Sequence, residues 1–148
     1  MSKYLILLLV LVAGLLQPVL VAMNTKIDKT THSPLLAVAV TFLIGGLLAS
    51  ALWASGVLER GQPALLGSAP WWVWLTGPIG MLILAASLIA LPLSGAALVV
   101  AVMVFGQALS SMVLDHYGWL GVRQVPITAW RVAGVVLIFG GVLMMQKR

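Results

Sequence analysis

Residues 94–121 read SGAALVVAVMVFGQALSSMVLDHYGWLG and determine how the rest of the chain is arranged. The part from 95 to 114 has about 20 residues, roughly what an α-helix needs to cross the ~30 Å hydrocarbon core of a membrane. Ser94 is positioned to cap this helix at its N-terminus. The first half of the helix is wholly apolar, as contact with lipid or close packing requires. We therefore predict a transmembrane helix over residues 95–114, with the other helices placed around it.

The second half of this helix carries a polar stripe. Its members are spaced at i, i+3, i+4 and i+8, which places them on one side of a helix. An unpaired polar group facing lipid tails costs several kcal/mol, so the stripe is expected to face other helices or water. The stripe consists of Gln107, Ser110, Ser111 and Asp115.

Three of these residues are candidates for substrate binding. Gln107 lies near mid-membrane depth and can both donate and accept a hydrogen bond. The alternative for Gln107 is a hydrogen bond to a neighbouring helix. Ser110 and Ser111 are candidates for the same site, and the alternative is that their hydroxyls bond back to their own helix.

The composition identifies a membrane protein. The 148 residues are 62% hydrophobic and 7% charged, which is more apolar surface than a soluble domain of this size buries. The eight Lys and Arg lie near the predicted helix ends, as membrane insertion requires, so we expect no nucleic-acid partner. The apolar segments predict an all-α integral membrane fold with one domain over residues 1–148. Its five helices are expected at residues 4–23, 34–53, 71–91, 95–114 and 129–145.

The residue types do not favour catalysis. The chain has no cysteine, which excludes a disulfide framework and a thiolate metal site. The sequence shows no nucleophile–base pair, no metal-ligand cluster and no phosphate-binding loop. We therefore expect neither an enzyme nor a bound metal or cofactor.

Prolines interrupt two of the other predicted helices. Pro18 lies inside helix 1 and Pro78 lies near the start of helix 3, and a kink is expected at each. Gln17 precedes Pro18 near mid-membrane depth and is a second candidate for substrate binding. The alternative for Gln17 is a hydrogen bond to a neighbouring helix. Asn24 lies seven residues further along the same face. It is a candidate for the same site, although a cap at the end of helix 1 is the first interpretation.

Asp115 is the acid that adjoins a span on its polar face. It lies at the C-terminus of helix 4, where the helix macrodipole disfavours negative charge. A cation should offset this charge, and Arg123 and Arg131 are expected on the same side of the membrane. A structural salt bridge is the first interpretation, and a role in gating or coupling is the alternative.

The charges do not favour one orientation in the membrane. Five spans place the termini on opposite sides, and the Lys and Arg then divide four against four, so we expect dual topology. The Trp and Tyr residues are predicted on the N-terminal side only, and two opposed protomers would complete the aromatic belt. The N-terminal side carries Lys3, Arg60, Arg123 and Arg131, and the other side carries Lys26, Lys29, Lys147 and Arg148.

Motifs spread over nearly the whole chain carry a family resemblance. They are DHYG at residues 115–118 with GQ before it, PWWVWL at 70–75, and L-x-Q-P at 15–18 followed by Asn24. Together they resemble the YdcZ family, small five-helix bacterial proteins of the drug/metabolite transporter superfamily. The last helix, TAWRVAGVVLIFGGVLMM, resembles one found across that superfamily, including the small multidrug-resistance exporters.

The resemblance implies transport of a small metabolite or drug-like solute across the bacterial inner membrane. It also implies alternating access by two five-helix units in an inverted arrangement, here an antiparallel homodimer in the lipid bilayer. The small multidrug-resistance exporters share a carboxylate deep in a membrane helix, whereas this chain has no Asp or Glu inside a predicted span. Their mechanism therefore does not carry over by residue. The alternative function is a non-transporting membrane subunit that packs against a separate partner protein.

Overall fold

The computed structural model describes residues 3–57, 61 and 63–146, and these residues fold into helices joined by short connections. Five helices, one of them extended by a preceding 3-10 turn, are long and apolar enough to cross a membrane. This confirms the prediction of five transmembrane helices. They are α1 (Lys3–Thr31), α2 (Pro34–Ser55), α3 (Thr76–Ser94), α4 (Ala96–Tyr117) and α5 (Ala129–Gln146).

The chain divides into two compact units, Met1–Pro92 and Leu93–Arg148. The first contains α1, α2 and all but the last two residues of α3, and the second contains α4 and α5. In the first unit α1 and α2 are neighbours joined by a two-residue turn, which makes them antiparallel. The prediction of one transmembrane domain over residues 1–148 stays a prediction.

The first unit has a small apolar core contributed by three helices. The core side chains are almost completely removed from the surface, and Ala37 and Leu88 are 0% and 1% exposed. Phe42 of α2 lies against Gly80 of α3, where a Cβ atom would come within 3.0 Å of the ring. Glycine therefore lets these two helices approach closely at this point. The core residues are Val21, Ala37, Val38, Leu84 and Leu88.

Helix α1 continues past residue 23, where it was predicted to end, as far as Thr31. The polar segment after Met23 stays helical, and its threonine hydroxyls donate to carbonyl oxygens four residues earlier. The donors are Thr25, Thr30 and Thr31, each at 2.9 Å. The helix ends where His32 adopts a positive φ of 55°.

A single residue separates α3 from α4. Ser94 was predicted to cap helix 4, but it is the last residue of α3, and Pro92 lies inside that helix. Gly95 connects the two helices with a φ of 78°, a conformation that favours glycine. The prediction of Ser94 as the cap is therefore wrong, because the backbone leaves the helical conformation only at Gly95.

In the second unit α4 and α5 pack against each other as an antiparallel pair. The rings of Phe105 and Phe139 lie 5.1 Å apart between their centroids, and Val99 and Val142 are buried. Residues 118–128, hereafter the α4–α5 loop, connect the two helices. Thr128 caps α5, since its hydroxyl oxygen accepts a hydrogen bond from the Arg131 N–H at 3.4 Å.

Candidate functional site

The polar stripe of α4 does not have one uniform environment. Gln107, Ser110 and Ser111 are exposed, whereas Asp115 is half-buried. The hydroxyls of Ser110 and Ser111 donate to backbone oxygens three residues earlier, each at 3.2 Å. This is the bonding to their own helix that the alternative interpretation described. Such a bond leaves the hydroxyl oxygens free to accept a second hydrogen bond.

Gln107 presents an amide near the midpoint of α4. Phe105 marks the side of α4 that faces α5, and two further residues turn a helix by about 200°. The Gln107 side chain therefore points away from α5. Its amide makes no hydrogen bond to the residues that the structure describes. An amide at this depth requires water or another polar group, because contact with lipid tails leaves it unpaired.

Gln17 occupies a comparable position in the first unit. It is half-buried in α1 beside Pro18, which lies inside the helix. Proline has no N–H, so Pro18 leaves the carbonyl oxygen of Gly14 without its usual helical partner. The Gln17 amide also makes no hydrogen bond within residues 3–57, 61 and 63–146. A donor and a backbone acceptor that lacks its usual helical partner thus lie one turn apart in a membrane-spanning helix.

Pro78 lies in the first turn of α3, where proline is tolerated. A 3-10 helix, Trp71–Leu75, directly precedes α3, and Thr76 joins the two. The break expected at Pro78 thus corresponds to a change of helix type at the start of the span rather than to a bend in its interior.

Asn24 links α1 to α2. Its side chain is 2% exposed, and its Oδ1 accepts a hydrogen bond from the Thr41 hydroxyl at 2.5 Å. Its Nδ2 donates to the Leu20 carbonyl at 3.0 Å. The interpretation of Asn24 as a helix-end cap is wrong, because α1 continues to Thr31 and the amide is inside the helix. Both ends of this amide are already paired within the first unit.

Asp115 and Arg131 form an ion pair between the end of α4 and the start of α5. The other terminal nitrogen of the Arg131 guanidinium donates to the Val125 carbonyl at 3.3 Å. Arg131 therefore joins three segments: α4, the α4–α5 loop and α5. Arg123, the other cation considered for this pair, is exposed and forms no ion pair with the described residues.

Further hydrogen bonds hold the α4–α5 loop against the last turn of α4. The Val125 N–H donates to the Asp115 carbonyl at 2.8 Å, and the Gln124 side chain donates to the His116 carbonyl at 3.0 Å. The Ile127 N–H lies 3.4 Å from His116 Nδ1, which accepts the bond. His116 was indicated only as a member of the DHYG motif, and no sequence pattern indicated Gln124. These contacts could have been expected in general terms, because the last carbonyls of a helix need hydrogen-bond donors from outside the helix.

The DHYG motif thus has a structural explanation. Gly118 ends α4 with a φ of 65°, and its N–H donates to the Leu114 carbonyl. The rings of Tyr117 and Trp119 stack at a centroid distance of 4.9 Å. Together with the ion pair of Asp115, these features shape the turn that leads from α4 into the loop.

The groups at these positions are suited to binding rather than to bond cleavage. They are amides, hydroxyls and backbone carbonyls, with one paired carboxylate. No group of three His, Cys, Asp or Glu side chains that could hold a metal ion occurs in the part of the chain that the structure describes.

Five apolar helices with amides inside the spans define the class: a multi-pass membrane protein with polar groups at membrane depth. Residues 5–144 match the family described as "Putative inner membrane exporter, YdcZ", and the chain belongs to this family. The family description is that of a transporter rather than of an enzyme. The chain is therefore a multi-pass protein of the inner membrane.

A curated relative agrees with this assignment. The chain is 28% identical over 152 residues to "Inner membrane protein YdcZ" from Escherichia coli (strain K12). The match covers 100% of this chain and 99% of the relative. No solved structure matches the chain.

Proposed function

We propose that the chain is one protomer of a small secondary transporter that moves a small metabolite or drug-like solute across the inner membrane. It works by alternating access as an antiparallel homodimer, and the family description favours export. The observation that carries the proposal is the Gln107 amide, which lies inside a membrane span, points away from α5 and has no partner among the described residues.

An antiparallel second copy provides a polar environment for this amide. A two-fold axis in the membrane plane maps mid-membrane depth onto itself, so the two Gln107 side chains lie at the same level. Each copy also brings the hydroxyls of Ser110 and Ser111 within about one turn of that level. The resulting cavity offers hydrogen-bond donors and acceptors to a solute that enters from either side.

The groups in the spans indicate the chemistry of the solute. A permanent cation in a low-dielectric cavity needs a compensating charge, because its desolvation costs several kcal/mol. The spans offer amides, hydroxyls and freed carbonyls, whereas Asp115 lies at the end of α4 and is paired with Arg131. These groups favour neutral polar or amphipathic solutes, which need hydrogen bonds and apolar contact. Gln17 of α1 is a further group of this kind.

Cysteine accessibility tests whether the stripe lines a water-filled path. The chain has no native cysteine, so Gln107→Cys and Ser111→Cys each provide a single reactive thiol. Val102→Cys is the matched control, because Val102 is exposed on the same helix but lies about 140° around the axis from Gln107. We expect membrane-impermeant thiol reagents to label the two stripe positions faster than position 102. Equal protection of all three would indicate a packing subunit with a dry interface.

Solute binding and flux test the roles of the two main residues. A ligand-stabilisation screen on the purified protein supplies the solute, and both variants are then compared in liposomes. We expect Gln107→Ala to weaken equilibrium binding, and Asp115→Asn to slow flux with little change in affinity. A large loss of cation affinity in Asp115→Asn, with Gln107→Ala unaffected, would instead indicate carboxylate-coupled exchange.

A further inference from the structure

The α4–α5 loop is held in a fixed position at the end of its helix pair. Its backbone and side chains bond to Asp115 and His116 in the last turn of α4. The Arg131 guanidinium bonds to Val125 in the middle of the loop. Both ends continue directly into membrane spans, Ala96–Tyr117 and Ala129–Gln146. The loop therefore stays close to the end of its helix pair.

This fixed loop exposes apolar side chains. The exposed fractions range from 37% for Val125 to 58% for Leu120. Trp130 in the first turn of α5 is 88% exposed beside them. A loop that stood in water would not be expected to gather so many apolar side chains. The exposed apolar residues of the loop are Trp119, Leu120, Val122, Val125 and Ile127.

Arg123 is the one charged residue between 118 and 128. It is exposed, and it forms no ion pair with the described residues, since Asp115 is taken by Arg131. The loop thus combines apolar side chains, an indole and an unpaired guanidinium at the level where a membrane span ends. Tryptophan favours the headgroup level of a bilayer, and a guanidinium matches the geometry of a phosphate.

We propose that the α4–α5 loop is a phospholipid-binding surface that lies in the headgroup layer, with Arg123 binding the phosphate of an anionic phospholipid. The apolar side chains of the loop contact the upper acyl chains, and the hydrogen bonds to α4 hold the loop flat. This lipid site is separate from the solute path and does not depend on the transport function.

Lipid titration tests the role of Arg123. The purified protein in neutral detergent is titrated with phosphatidylglycerol, and bound lipid is counted by native mass spectrometry. We expect Arg123→Gln to weaken binding of the first lipid about fivefold, the usual effect of one cation at an anionic membrane surface. Lys26→Gln is the matched control, because Lys26 is also exposed but lies on α1. Equal weakening by both variants, or no change in Arg123→Gln, would overturn the proposal.

The depth of the loop provides a second measurement. A spin label at Leu120→Cys in phosphatidylglycerol-containing nanodiscs is compared with labels at Leu137→Cys inside α5 and at Thr31→Cys in the last turn of α1. Collision with oxygen and with a water-soluble nickel complex reports the depth of each label. We expect the loop label to lie between the other two, at headgroup depth. A label at position 120 that behaves like the one at Thr31 would place the loop in water and contradict the proposal.

Discussion

Asp115 holds the end of α4 to the start of α5 through its pair with Arg131, and the two side chains are 29% and 32% exposed. At this exposure water screens part of the attraction, but the charged hydrogen bond still contributes. We expect Asp115→Asn to lower the free energy of unfolding by about 1 kcal/mol. Unfolding in mixed micelles with increasing dodecyl sulfate measures the change.

Asp28→Asn is the matched control for that substitution. Asp28 is the other acid among the described residues, it is half-buried on α1, and no ion pair involves it there. Its substitution should leave the free energy of unfolding nearly unchanged. If both variants lost equal stability, the effect would come from net charge rather than from the pair with Arg131.

The hydrogen bond between Asn24 and Thr41 joins two helices away from water. We expect Asn24→Ala and Thr41→Val each to lower stability by about 1 kcal/mol, as for other hydrogen bonds between membrane helices. The double variant should lose less than the sum, because both remove the same bond. Thr25→Val is the control, since the Thr25 hydroxyl bonds within α1. Strict additivity would show that the two side chains do not interact in the membrane.

Sequence spacing predicted the depth of these polar residues but not all of their partners. Gln107 and Gln17 lie inside spans as expected, because depth follows from counting residues along an apolar segment. The pairing of Asn24 with Thr41 could not be predicted, since it depends on how far α2 is shifted along α1. The pairing of Asp115 with Arg131 rather than Arg123 depends on how the α4–α5 loop turns.

The end of α4 depends on the backbone conformation of Gly118. Its φ of 65° is unfavourable for a residue with a Cβ atom, and that atom would lie 3.4 Å from Gln124 Cβ. We expect Gly118→Ala to lower the free energy of unfolding by about 1 kcal/mol. Gly106→Ala is the control inside the same helix, where a Cβ atom meets nothing within 4 Å. That variant should be neutral or stabilising, and the reverse order would contradict the assigned end of α4.

The positions of the five helices could be predicted from the apolar segments of the sequence, whereas the residues at which the helices end could not. Apolar length predicted all five spans, because each must cross the same thickness of membrane. The polar residues after Met23 suggested a loop, yet α1 continues through them, and the hydroxyls of Thr25 and its neighbours bond to carbonyls of the same helix. Ser94 suggested a cap, but it is the last residue of α3, and Gly95 separates α3 from α4 instead. Helix ends thus depend on local bonds that composition does not specify.

The orientation of the whole molecule in the membrane depends on how its Lys and Arg residues divide between the two sides. With four on each predicted side, we expect both orientations in the membrane. Three of these residues, Arg60, Lys147 and Arg148, lie outside the described residues. Topology reporters fused after residue 148 should be active on both sides, and extra lysines at one end should shift the ratio. A single orientation that added charge does not change would contradict dual topology and the antiparallel homodimer.

The turn between α1 and α2 has a practical consequence for imaging. Helix α1 has 29 residues, about 43 Å at 1.5 Å per residue, so its last turns reach beyond the ~30 Å hydrocarbon core. Helix α2 begins only two residues later, at Pro34. A soluble helical bundle that replaced His32 and Ser33 and continued both helices without a break would stand rigidly above the membrane. It would give electron microscopy a recognisable marker on a chain of 148 residues, and its position on each protomer would reveal directly which way that protomer points.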